Sequence, residues 1–140
     1  MALRSLRADA VTRVAHVTIR RLLLVMLGGA IGTAARLGIG EVVPDASGLP
    51  LSILVANVVG ALLIGVLAAR LPRSSDLRVF LGTGVLGGFT TYSAFAVGSL
   101  TLWAQAPALA AAYVLLTLLL GFGAVAAGMR LGRRREERRA

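Results

Sequence analysis

The run GGFTTYSAF, Gly87 to Phe95, places two glycines, four hydroxyl-bearing side chains and aromatic rings in the middle of a long apolar segment. Adjacent glycines weaken a helix, and threonine hydroxyls at Thr90 and Thr91 offer the backbone other hydrogen bonds. A helix broken in this way exposes carbonyl oxygens that suit a cation and amide hydrogens that suit an anion. Tyr92 and Phe95 are three residues apart, so their rings project to similar sides of the helix that resumes. Asn57, in LVANVVGALLIG, sets an amide inside a second apolar segment, where it must find partners across helices. Tyr113 and Thr117 lie one turn apart in a third. Each feature has an ordinary explanation alone: core filling for the rings, an interhelical clamp for Asn57, a bond to its own backbone for Thr117. Together they form a set of neutral donors and ring edges with no charge at the centre. Ring edges carry partial positive charge, so the set suits a small anion better than a cation.

The elements that must carry these residues follow from hydropathy. The chain has 140 residues, enough for one domain, is 57% hydrophobic and has no cysteine. Its mean hydropathy is +0.84. A bilayer core of about 30 Å needs about 20 apolar residues as helix, and four segments qualify: residues 22–40, 51–69, 79–103 and 108–129. The links are short: EVVPDASGLP is rich in turn formers, and RLPRSSDLR and AQAP complete the set. Only helices can serve here, because an open sheet edge stays unsatisfied in lipid. The expectation is an all-α membrane protein with four transmembrane helices, the third broken at mid-membrane. A basic segment, 1–21, precedes the membrane domain, 22–129, and a basic tail, 130–140, follows it.

Charge sets the orientation. The net charge is +9 and all fifteen basic residues are arginine. They flank the apolar segments instead of lining one soluble face, which argues for a membrane and against nucleic acid. Four spans put both termini on the side of the Arg70–Arg78 loop; that side holds fourteen of the fifteen arginines, all but Arg36. The positive-inside rule places both termini in the cytoplasm of a plasma (inner) membrane protein. The start of the chain also has signal-peptide features, with Arg20 and Arg21 as a twin-arginine pair, but its basic region is long and three more spans follow. Leu3, Leu6, Val14 and Val17 recur at near-helical spacing, which fits either an amphipathic surface helix or a disordered tail. Gly28 and Gly32 form a GxxxG pair for close helix packing.

GGAIGTAAR in the first span, LVANVVG in the second, GGFTTYSAF in the third and YVLLT in the fourth resemble the CrcB/Fluc family of fluoride channels, in order and spacing, over nearly the whole membrane portion. The resemblance implies two four-helix subunits packed as an antiparallel dimer, with fluoride pores and a central sodium ion. It implies that Gly87 and Thr90 give carbonyl oxygens to the sodium. Asn57 would donate to fluoride, Tyr92 and Phe95 would take the places of the family's paired phenylalanines, and Thr91 and Ser93 would be nearby hydroxyls. Tyr113 and Thr117 resemble the residues of the fourth span that line the path, and Arg36 the basic residue at the pore entrance. Two departures are chemical: tyrosine at 92 adds a donor, and threonine at 117 adds a methyl to the usual serine. The third is the charge bias, which favours one orientation and so a heterodimer with an oppositely oriented homologue over a homodimer. The channel would export fluoride passively and confer fluoride resistance.

Two other functions compete. A four-span multidrug exporter would need a membrane-embedded carboxylate for proton coupling, and no span holds one. A non-conducting assembly subunit would explain the glycines but not Asn57, Thr117 and the hydroxyl-rich run together. An enzyme is not expected: the single histidine, His16, lies in the leading segment, with no nucleophile–base pair.

Overall fold

The computed structural model describes residues 2–46 and 48–137, with side chains over 18–46 and 48–133. Five helical stretches follow one another: α1 (Ala2–Val42), α2 (Leu51–Arg70), α3 (residues 76–89), α4 (Tyr92–Gln105) and α5 (Pro107–Glu137). Four apolar spans result: Thr18–Val42, Leu51–Arg70, Asp76–Gln105 and Pro107–Arg133. The expected four-helix membrane architecture with a bent third span is therefore present. The backbone over residues 2–21 is helical and runs unbroken into the first span. The side chains of Leu3, Leu6, Val14 and Val17, and residues 138–140 of the tail, lie outside the described residues.

The helices pack as two close pairs, α1 on α3 and α2 on α5, with α4 leaning on α5. Both close pairs depend on missing side chains. Gly28 and Gly32 let α1 lie directly on the α3 backbone, and a Cβ on Gly28 would stand 2.9 Å from the Cα of Gly84. Gly65 and Gly128 do the same for α2 and α5: a Cβ on Gly128 would stand 3.0 Å from the Val66 nitrogen. Lipid is as apolar as leucine, so such packing and interhelical hydrogen bonds, more than hydrophobic burial, hold the helices together. Accordingly the apolar side chains that face outward, such as Leu119 at 70% and Leu115 at 61% exposure, are normal for a lipid-facing surface.

The two ends of the bundle differ. At one end Asp76 accepts from Arg20 at 3.0 Å and Arg21 at 3.2 Å. Arg21 also donates to the Ser74 carbonyl at 3.0 Å, and Arg78 to the Leu71 carbonyl at 2.8 Å, capping α2. At the other end Asp45 accepts from both the amide and hydroxyl of Ser52 and fixes the start of α2. A small core of Leu102, Ala110 and Tyr113 closes that end.

Glycine packing yields a contrast. A Cβ at Gly32 would lie 2.8 Å from the Phe89 amide nitrogen, whereas one at Gly29 meets nothing within 4 Å. Gly32→Ala is expected to cost at least about 1–3 kcal/mol by overpacking against rigid backbone. Gly29→Ala should change stability by less than about 1 kcal/mol. Thermal unfolding of both variants in detergent checks the pair.

Candidate functional site

The third span changes character three times. Asp76–Arg78 is α-helical, with Ser75 as its cap accepting from the Arg78 amide. Val79–Leu86 then widens into a π-helix, a rare form that is frequent at functional sites. Gly87–Phe89 returns to α geometry, and Thr90 and Thr91 are extended, with φ/ψ of −83°/154° and −147°/122°. The break thus falls at the two threonines, not at the glycine pair. Gly88 serves packing: a Cβ there would collide with the Gly29 backbone. The Thr90 methyl seats on Gly60, the tenth of twenty residues of α2, which puts the break at the middle of the span.

Backbone hydrogen bonds around the break determine its chemistry. The Thr90 amide and hydroxyl both donate to the Leu86 carbonyl, at 3.0 and 2.9 Å. Because residues 90 and 91 are extended, the carbonyls of Gly87, Gly88, Phe89 and Thr90 receive no helical amide. Asn57 replaces part of the lost pattern. Its Oδ1 accepts from the Thr91 amide at 2.8 Å and its Nδ2 donates to the Thr91 carbonyl at 3.1 Å. This two-point clamp ties α2 to the break and leaves the second hydrogen of Nδ2 free for a ligand. The Thr91 hydroxyl accepts from the Ala94 amide at 3.2 Å, capping α4, and pairs with the Ser93 hydroxyl at 3.2 Å. From α1, Thr33 and Arg36 each donate to the Gly88 carbonyl at 3.4 Å. Among the described residues the carbonyls of Gly87, Phe89 and Thr90 accept no hydrogen bond.

A groove of about 550 Å³ opens beside the break. Of the residues singled out from the sequence, Asn57, Gly87, Thr90, Thr91, Tyr92, Phe95 and Thr117 line it. The rings of Tyr92 and Phe95 lie 6.2 Å apart and tilted by 46°, and Phe95 stands 5.8 Å from Tyr113. Tyr92 is 81% exposed at the groove edge. Tyr113 is buried behind Phe95, and its hydroxyl donates to the Pro50 carbonyl at 3.3 Å. The Thr117 hydroxyl donates to the Tyr113 carbonyl at 2.7 Å. Ser93 and Arg36 do not line the groove; Arg36 lies beside the break. Sequence reasoning missed Thr33, which has no apolar-span anomaly to mark it, and the groove wall of Gly60, Leu118, Gly121 and Phe122. The arrangement offers amide and hydroxyl hydrogens and ring edges to a small anion at mid-membrane, and free carbonyl oxygens nearby to a hard cation.

The profile of the family described as "CrcB-like protein, Camphor Resistance (CrcB)" matches residues 23–129. The chain belongs to the CrcB family. This CrcB chain is 47% identical over 118 residues to the "Fluoride-specific ion channel FluC" of Paracoccus denitrificans, covering 79% of itself and 93% of that protein. It is 43% identical over 117 residues to the protein of the same name from Agrobacterium fabrum, covering 79% of itself and 94% of that protein. It is also 42% identical over 118 residues to the "Fluoride-specific ion channel FluC 1" of Brucella abortus, again over 79% of itself, but spans 44% of that longer protein.

The clamp predicts an order of stability. Thr91→Ala removes one cap and should cost about 1 kcal/mol. Asn57→Ala leaves the Thr91 amide unpaired in the membrane interior, which should cost about 1–3 kcal/mol, and removes one bond to the Thr91 carbonyl, which still accepts the first amide of α4, for about 1 kcal/mol more. Thermal unfolding in detergent should rank Asn57→Ala as clearly the less stable variant.

Proposed function

We propose that the chain is a subunit of a fluoride-selective channel that lowers cytoplasmic fluoride by passive export and so confers fluoride resistance. The observation that carries this reading is the mid-membrane break, held by Asn57 and opening on a groove lined with neutral donors and ring edges, in a chain whose relatives are named fluoride-specific ion channels. Fluoride is small and strongly hydrated, so a path for it must replace water hydrogens. Asn57 Nδ2 and the Thr91 hydroxyl are placed to do so, and the edges of Tyr92 and Phe95 add weaker positive contacts. Fluoride enters cells as neutral HF from acid surroundings and ionises inside. The negative interior then drives the anion out, at about 2.3 kcal/mol per charge per 100 mV. A passive channel suffices.

A second subunit completes the reading. Irregular backbone at membrane depth is tolerated only when protein or a water-filled cavity covers it. The open groove, the exposed Tyr92 and the uncapped carbonyls of Gly87, Phe89 and Thr90 therefore favour a partner packed over this face, arranged antiparallel. Hard carbonyl oxygens are the right donors for sodium. Gly87 and Thr90 would supply two of them and the partner the rest; a bound cation would neutralise the carbonyls and join the subunits. Fourteen of fifteen arginines belong to one side, which favours cytoplasmic termini in the plasma membrane and a heterodimer with an oppositely inserted homologue.

Two measurements test this. Expression in a fluoride-sensitive bacterial strain, alone or with a homologue of opposite charge bias, should restore growth on fluoride without altering dye resistance. Dye resistance without fluoride resistance would support an exporter instead. Epitope accessibility should find the C-terminus on the cytoplasmic face alone, and detection on both faces would sink the fixed orientation.

A further inference from the structure

Arg36 is a charged side chain within the span Thr18–Val42, six residues, or about 9 Å, from the end of α1. Charge at that depth is costly and marks a functional contact. An arginine serving only to draw anions or to anchor in headgroups would extend toward the nearer surface. This one instead turns toward the helix N-terminus, the direction in which helical side chains lean, and reaches the break. There its Nε donates to the Gly88 carbonyl, half-buried, beside the Thr33 hydroxyl one turn earlier on the same face.

Two donors from one helix thus converge on one of four carbonyls that the break deprives of an amide. Each bond is long, at 3.4 Å, but one donor is a cation, and charge-assisted bonds are the stronger kind. The backbone contact below it is tight, because α1 meets α3 through Gly29 and Gly88 without side chains between them. The Gly88 carbonyl therefore points at α1 and away from the groove. Gly87, whose carbonyl is free, is its immediate neighbour and lines the groove.

We propose that Arg36, together with Thr33, is a positioning residue for conduction: it holds the Gly88 carbonyl against α1, which keeps that negative oxygen out of the anion path and fixes the orientation of the neighbouring carbonyls. The inference rests on the channel reading and assigns Arg36 a different task from attraction at a pore entrance. Attraction acts at long range and is screened by salt. A direct bond to a half-buried carbonyl is not. Thr33 carries no charge, so removing its hydroxyl changes the hold on Gly88 without changing any field.

The test compares Thr33→Val and Arg36→Gln with the unaltered chain in liposomes, alone or with the homologue it requires, at low and high ionic strength. Positioning predicts that Arg36→Gln lowers maximal fluoride flux by about tenfold or more, as supporting-residue changes do. The factor should be the same at both ionic strengths, and Thr33→Val should lower flux several-fold. A loss in Arg36→Gln that disappears at high salt, with Thr33→Val unchanged, overturns the proposal in favour of attraction. Amide hydrogen exchange over residues 86–94 in detergent supplies a readout independent of conduction. It should quicken by about tenfold in Thr33→Val with the rest of the chain unaltered, and unchanged exchange overturns the proposal even if Arg36→Gln does not fold. An unaltered chain that passes no fluoride with any homologue would refute the channel reading, while the exchange result would still decide the role of Thr33 and Arg36.

Discussion

Inside a bilayer no water is available to a backbone carbonyl or amide that loses its helical partner, and this rule shapes the whole molecule. Extending two threonines at mid-span removes helical donors from four carbonyls and leaves the Thr91 amide to find another acceptor. Asn57 takes the Thr91 amide and carbonyl together, Thr33 and Arg36 take the Gly88 carbonyl, and the Thr91 hydroxyl starts the next helix. Of the residues whose carbonyls remain free, Gly87 and Thr90 line the groove, where a ligand can use them. The break is therefore selectively satisfied, and its reactivity consists of the groups that the surrounding helices leave alone.

Such selective satisfaction requires helices at short, fixed distances. Gly28, Gly32, Gly84 and Gly88 bring α1 onto α3 closely enough for side chains of α1 to reach a main-chain oxygen. Gly60 admits the Thr90 methyl and brings α2 close enough for an asparagine, with its short reach, to bridge to Thr91. Small residues and polar clamps act as one device: the first sets the distance, the second uses it. At the arginine-rich end, the pairing of Arg20 and Arg21 with Asp76 fastens the first span to the third where water is present.

Four spans, the short links and a broken third helix were legible from hydropathy and from GGFTTYSAF, because apolar run length and hydroxyl content are local properties. Asn57 was legible as an amide in need of an interhelical partner, and the clamp to Thr91 is that partner. The exact site of the break was not, since Gly88, one of the two glycines that seemed to weaken the helix, is required by contact with α1, a non-local demand. The π-helical turns of Val79–Leu86 were illegible for a similar reason: nothing in VFLGTGVL distinguishes five-residue from four-residue bonding. Thr33 carried no signal at all, because a threonine in an apolar helix ordinarily bonds its own backbone. Arg36 stood out by charge, yet its target, a carbonyl 52 residues away, could be found only in three dimensions.

The central claim is that the Asn57-held break forms the part of the path where fluoride leaves water. The most direct measurement is fluoride efflux through Asn57→Leu and the unaltered chain in liposomes, with the partner homologue where one is needed and chloride as control. If the claim is correct, the unaltered chain passes fluoride and not chloride, and Asn57→Leu, recovered at the same size in detergent, passes neither. Fluoride efflux through Asn57→Leu at the unaltered rate would contradict it.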